Sequence, residues 1–349
     1  EMGQLNRRTQ MVKLVNRSYF VRLLISFLAL TTLTLLLSSV VIYRNYEIEA
    51  IKDSSATSEQ MLSKTVYNAD LIWDWASKHA FELYCNNYIF NAIYGHDISP
   101  LDEYNAQKIM SYAMNSNPFI YSIYLYNGYM GKVFSSVSHG YVKDEFFDQN
   151  IFQILEDKST YEQFCFIPRI MRYEHYGKKY NADILSLIVT ESASDSTPVN
   201  GALVLNIKVS AIQDMIRSMN RVDNEDDFFV IVDRNGKVVS HSQPGMFLKN
   251  LSEEEYMSQV NSSSNKNSGY FTETINGEKY LITYVKSDKL EWSFIRANKY
   301  EKLFTKTYGL RNIIIVYSVL LFVLIASFSV WLSWRFYSPI DGLVKLVKK

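Results

Sequence analysis

The chain has 349 residues, 36 basic and 36 acidic side chains and hence a formal net charge of zero. That length accommodates two domains, and the balanced charge offers no global basic field for nucleic acid. Two cysteines, Cys85 and Cys165, exclude a disulfide scaffold and a four-cysteine zinc site; a Cys85–Cys165 bridge and plain apolar packing are both left open.

Residues 1–22 form a short tail holding Arg7, Arg8, Lys13, Arg17 and Arg22 against Glu1. The uncharged run Leu23 to Tyr43 follows and is long enough to cross a bilayer. It is too long for the apolar core of a cleaved leader, and no A-x-A-like site follows it. A second uncharged run covers 312–334, after which Arg335, Lys345, Lys348 and Lys349 face only Asp341. The positive-inside rule puts both ends in the cytoplasm and residues 44–311 outside.

Residues 44–98 read as a long extracytoplasmic helix. Leu62, Val66, Ala69, Trp73, Ala76, Ala80 and Leu83 make a stripe at steps of four and three, which fits packing on a sheet and is compatible with a homodimer seam. A membrane-distal module is expected over 99–222. Ser99 and Pro100 mark a helix start, and Asn127-Gly128 joins two β-rich runs as a hairpin. "DEFFDQNIFQILED" reads as a helix, and "EQFCFIPRIMRY", "ADILSLIVTES" and "GALVLNIKV" as strands. "SAIQDMIRSM" is a helix.

A smaller module is expected over 223–311, with turns at Asn235-Gly236 and Asn276-Gly277 and a helix at "LSEEEYMSQV", where Ser252 and Glu255 form a capping box. Residues 335–349 begin a cytoplasmic linker helix at Ser338-Pro339. Because the chain starts at Glu1 rather than Met, it reads as an excerpt.

His79, His96, His139, His175 and His241 are scattered without metal-ligand spacing, and there is no nucleophile elbow or phosphate loop. The acidic run Asp223 to Asp227 reads as a linker. No catalytic residue, metal or cofactor is therefore assigned, and the outside region reads as a binding module rather than an enzyme.

"GALVLNIKVSAI", "FFVIVDRNGKVVSHS" and Trp292 with "SFI" before Tyr300 together resemble the double Cache sensors, extracytoplasmic regions built of two PAS-like modules. The resemblance implies an α+β fold, two transmembrane helices flanking a double Cache ectodomain, and a small ligand in the distal module. "NRSYFVRLLISFL", "NPFIYSIYLYNG" and "RFYSPIDGLVKLV" resemble the sensor halves of Gram-positive membrane-bound AraC/XylS-type regulators. Pro339 and Leu343 are also similar to the start of a HAMP helix leading to a histidine kinase. DNA would be met only through an output domain absent from this chain, and a membrane-anchored scaffold without signalling is the reading from another class.

Within the distal module Ser122, Tyr124 and Tyr126 share one strand face by period two. Arg169 and Arg172 could clamp an anion, and Asn206 interrupts an apolar strand and needs a partner. Tyr124, Arg169 and Asn206 are the candidate ligand-binding residues, for a sugar or a small acid.

Overall fold

A computed structural model describes residues 2–137, 140–156, 164, 166–175, 178–191, 199–219, 227–262, 267–304, 316–328 and 330–331. The chain divides into two compact units, Ser55–Lys299 and the pair Glu1–Ser54 with Tyr300–Lys349.

The larger unit is an α+β assembly of two antiparallel sheets. Helix α1 (Met2–Tyr84) enters it at Ser55 and is followed by α2 (Asn87–Tyr94) and α3 (Pro100–Ser116). The α3 start follows from its sequence: the Ser99 hydroxyl accepts the Asp102 N–H at 3.1 Å, and Pro100 occupies the first turn. The first sheet has β1 (Ile120–Asn127), β2 (Lys132–Ser135), β3 (Tyr141–Val142), β4 (Phe166–His175), β5 (Lys178–Thr190) and β6 (Gly201–Lys208), in the order β3-β2-β1-β6-β5-β4. Between β3 and β4 lie a 3-10 turn (Lys143–Glu145) and α4 (Asn150–Glu156). After β6 comes α5 (Val209–Met219).

The second sheet has β7 (Phe228–Val232), β8 (Val238–His241), β9 (Ser268–Ile275), β10 (Glu278–Ser287) and β11 (Trp292–Lys299), ordered β8-β7-β11-β10-β9. Helix α6 (Glu255–Ser262) lies between β8 and β9.

Period-two alternation divides each sheet into two faces. On the first sheet, Ile123, Leu125, Leu185, Leu187, Leu203 and Leu205 share a core with Leu62, Val66, Ala69, Ala76 and Ala80 of α1. The helical stripe read from the sequence is thus a packing face. Phe229, Ile231, Val285, Trp292 and Phe294 of the second sheet belong to the same core. There α1 also makes polar contacts: Asn298 Nδ2 donates to Ser58 Oγ at 2.9 Å and Ser287 Oγ to Asp70 Oδ1 at 2.6 Å.

Four local expectations are revised. The run 144–157 is not one helix, because Phe146 is extended and α4 starts only at Asn150. Asn127-Gly128 does open the expected β1–β2 hairpin, but through a longer loop over 128–131 and not a tight turn: Asn127 pairs with Lys132, and its side-chain amide donates to the Ala92 and Gly95 carbonyls. Ser252 is not a helix cap, since α6 begins at Glu255. Short β3 makes the first sheet six-stranded rather than five-stranded. Asn276-Gly277 does form the expected tight turn, with both φ angles positive (52° and 83°) between paired Ile275 and Glu278.

In the smaller unit, Leu30, Leu33, Leu36, Leu37, Val40 and Val41 of α1 are all exposed, and this is one helix long and apolar enough to cross a membrane. The tract Val316–Phe328 is a shorter apolar helix; the rest of the second expected span and the linker helix from Ser338 lie outside the described residues. Helix α7 (Tyr300–Leu303) sits here, with the Tyr300 hydroxyl on Glu47 Oε1 at 2.5 Å. Cys85 is exposed with a free thiol, and Cys165 lies outside the described residues.

Candidate functional site

The outer face of the six-stranded sheet, opposite α1, carries a polar row where an apolar core would otherwise continue. Ser122 on β1 and Ser186 on β5 both pair with Asn206 on the intervening β6. The Asn206 Nδ2–H donates to Ser122 Oγ at 3.0 Å, and the Ser186 hydroxyl donates to Asn206 Oδ1 at 2.6 Å. Arg169 on β4, two residues from the partner of Ser186, extends the row by donating Nε–H to Ser186 Oγ at 2.7 Å. One Nη2–H reaches Asn206 Oδ1 at 3.2 Å.

The guanidinium charge is met by Asp148. Arg169 Nη1 and Nη2 donate to its two carboxylate oxygens at 2.8 and 2.7 Å, with side-chain exposures of only 6% for Arg169 and 1% for Asp148. This is the planar two-point fit of guanidinium to carboxylate. Asp148 is presented from the irregular stretch ahead of α4. That stretch is shaped by Gln149, whose side-chain amide donates to the carbonyls of Lys143, Asp144 and Phe146.

Aromatic side chains wall the row. Tyr124 is buried, lies edge-on to Phe146 with ring centres 4.9 Å apart, and donates its hydroxyl to Met171 Sδ at 2.9 Å. Burial first, then the Asp148 charge, pushes its phenol above the ordinary value, so it remains a neutral donor. Tyr126 meets Phe152 edge-on. Tyr121, beside the register shift between Ile120 and Ser122, donates to the Tyr173 hydroxyl at 3.3 Å. Tyr173 in turn stacks on Tyr180 at 5.2 Å.

The three candidates from the sequence therefore lie on one face. Arg169 and Asn206 touch, while Tyr124 stands beside them without bonding either. Arg172 is corrected: alternation along β4 turns it to the other side, where it is exposed. Asp148 and Ser186 were missed. Ser186 had a signal, a polar residue in the apolar run "ILSLIV"; Asp148 was hidden inside a segment read as one helix.

No curated protein matches the chain. Solved structures are similar in fold. The extracellular domain of vpHK1S-Z8, described as a histidine kinase, is 13% identical with a TM-score of 0.52, covering 74% of this chain and 96% of that one. The corresponding domain of soHK1S-Z6, likewise described, is 13% identical with a TM-score of 0.53, covering 75% and 99%. The ligand-binding domain of the Campylobacter jejuni chemoreceptor Tlp3, solved with L-norvaline, is 14% identical with a TM-score of 0.45, covering 74% and 95%. At such identities the likeness concerns fold. The double Cache model, described as a Cache domain, matches residues 38–307, and the chain belongs to the Cache domain family.

Proposed function

We propose that the chain is the sensor region of a membrane receptor that binds a small solute on the outer face of its distal module and signals across the bilayer. The observation carrying this reading is the buried Asp148–Arg169–Ser186–Asn206–Ser122 row within an aromatic-walled face. Buried ion pairs contribute little net stability compared with an apolar core, so a role in recognition accounts for the row better than a role in folding.

The same pair bears on ligand class. With Asp148 and Arg169 both ionised the site is neutral; a lone carboxylate entering it would leave one buried negative charge uncompensated. An uncharged polyol such as a sugar, or a zwitterion that exchanges its own two charges with the pair, keeps the balance. This favours the sugar over the small acid among the sequence-based expectations.

Two spans, 23–43 and 312–334, with both termini cytoplasmic, fit the exposed apolar residues of α1 and the charge bias of the flanks. The output is an AraC-type DNA-binding region, reached through the segment that begins at Ser338. A HAMP-linked histidine kinase is the second reading, favoured by Pro339 and Leu343. Signalling requires that the ligand prefer one of two conformations of the sensor.

The test is thermal unfolding of the full chain in lipid nanodiscs against panels of sugars, zwitterions and monocarboxylates. Stabilisation by a neutral or zwitterionic solute, lost in the Asp148→Leu/Arg169→Met double variant, is expected. Equal stabilisation in wild type and variant, or none by any solute, would overturn the assignment of the site.

A further inference from the structure

The aromatic wall of the distal face continues past the polar row. Along β4, Met171 and Tyr173 follow Arg169 on the same face. Four residues at about 3.3 Å each carry Tyr173 roughly 13 Å from Arg169. Tyr173 pairs across the β4–β5 ladder with Tyr180, and the two rings stack at 5.2 Å and 14°. Tyr173 is half-buried and meets Phe147 edge-on at 6.0 Å, while Tyr180 is 41% exposed.

Tyr121 joins this pair against the strand period. Ser122, Tyr124 and Tyr126 occupy the outer face of β1, so strict alternation would turn Tyr121 inward. The register shift between Ile120 and Ser122 breaks the alternation. Tyr121 packs on the outer-face cluster instead, and its hydroxyl donates to that of Tyr173 at 3.3 Å. Irregularities of this kind re-aim single side chains and are frequent beside binding sites. Burial first, then the bond to Tyr173, holds the Tyr121 phenol above its ordinary value, so it stays neutral near pH 7.

Tyr121, Tyr173 and Tyr180 thus make an uncharged strip that leads from the row toward the β4–β5 hairpin. Ring faces suit the C–H surfaces of a sugar, and hydroxyls at the ring edges suit its own hydroxyls. Between strip and row, the paired Met171 and Ala182 offer apolar contact alone.

We propose that Tyr121, Tyr173 and Tyr180 form a second subsite of the distal site, for a linear oligosaccharide that meets the polar row at one end and lays a further ring on Tyr180. The inference rests on the receptor reading above and narrows it. The distance from Arg169 to Tyr173 exceeds the reach of a single sugar ring, and the strip has no charge to meet a zwitterion's second ionic group.

The experiment is isothermal titration calorimetry of the full chain in nanodiscs. The probes are glucose, xylose and mannose, the trisaccharides maltotriose, cellotriose, xylotriose and mannotriose, and the zwitterions alanine and glycine betaine. At least one trisaccharide should bind about tenfold tighter than its monosaccharide. Tyr180→Ala should cost that trisaccharide about the same factor, whereas Tyr180→Phe keeps the ring face and should retain the affinity. Tyr112→Ala, on the exposed side of α3, should leave it unchanged.

Equal affinity for trisaccharides and monosaccharides would overturn the subsite and leave the receptor reading in place. The same holds for a Tyr180→Ala protein that binds the trisaccharide as tightly as wild type, and for binding of the zwitterions without any of the sugars. No binding of any of these solutes would overturn the subsite together with the site it extends.

Discussion

Asp148→Ala tests the physical basis of the proposed ligand site most directly. It removes the only carboxylate bound to Arg169 among the described residues and leaves the guanidinium almost fully enclosed. Stripping one member from a buried pair costs about 3–5 kcal/mol, because the remaining charge has no water to solvate it. Ser186 and Asn206 still accept from Arg169, which draws the expected loss toward the lower end, near ~3 kcal/mol. At about 2–4 °C per kcal/mol for a unit of this size, the melting temperature should fall by roughly 6–12 °C. Asp148→Leu/Arg169→Met removes both charges together and should recover most of that loss, since apolar replacement of a whole buried pair is close to neutral. The assay is tryptophan fluorescence on heating in nanodiscs, with both single variants completing the cycle. If Asp148→Ala melts within ~1 °C of wild type, or the double variant melts no higher than Asp148→Ala, the pair is not desolvated as described and the electroneutrality constraint on the ligand fails with it.

Gly201→Ala should destabilise by about 1–3 kcal/mol, because a Cβ there would meet Ile93 Cγ2 at 2.4 Å and the Ile93 carbonyl oxygen at 2.8 Å; unchanged denaturant unfolding would contradict that packing. His241 has a folded pKa of about 4 against an ordinary 6.5, so the unfolded chain takes up the proton more readily. The stability it contributes is complete above pH 6.5 and is lost as pH falls from there toward 4, and His241→Phe should flatten that limb of the stability profile relative to wild type. Leu36→Arg puts a charge on the exposed apolar stretch of α1, at a cost of about 2.5–3.5 kcal/mol for insertion. The carbonate-resistant membrane fraction should drop, and an unchanged fraction would count against lipid contact there.

Local chemistry made part of this architecture readable in advance. Ser99-Pro100 opens α3 and Asn276-Gly277 turns β9 into β10 because each feature is decided by residues within hydrogen-bond reach along the chain. Where distant groups compete, the same signals failed. Asn127 would suit a tight turn, but its amide donates to the carbonyls of Ala92 in α2 and Gly95 just after it, and a longer loop results. Arg169 and Asn206 could be picked out because a polar side chain in a buried strand demands a partner. That partner, Asp148, lies 21 residues from Arg169, and no periodicity in "EFFDQN" selects it over the neighbouring acids. The site was thus legible on its strands and hidden in the irregular segment that closes over them.

The two sheets contribute to one inner core and differ on their outer faces. On the distal face every member of the row already has a partner in the chain. A ligand that uses Arg169 or Asp148 must break those bonds, and breaking the ion pair removes the polar tie between the sheet and the segment ahead of α4. Its binding energy is then divided between contact and rearrangement, the condition for shifting a conformational equilibrium. The outer face of the five-stranded sheet is instead an apolar core, with Val230, Val232, Ile282 and Ile295 packed beneath Met257 and Val260 of α6. On the proposed reading a ligand at the polar row can therefore shift the equilibrium, while the apolar outer face of the second sheet, which among the described residues offers no comparable row of exchangeable bonds, serves as the frame against which the first sheet rearranges.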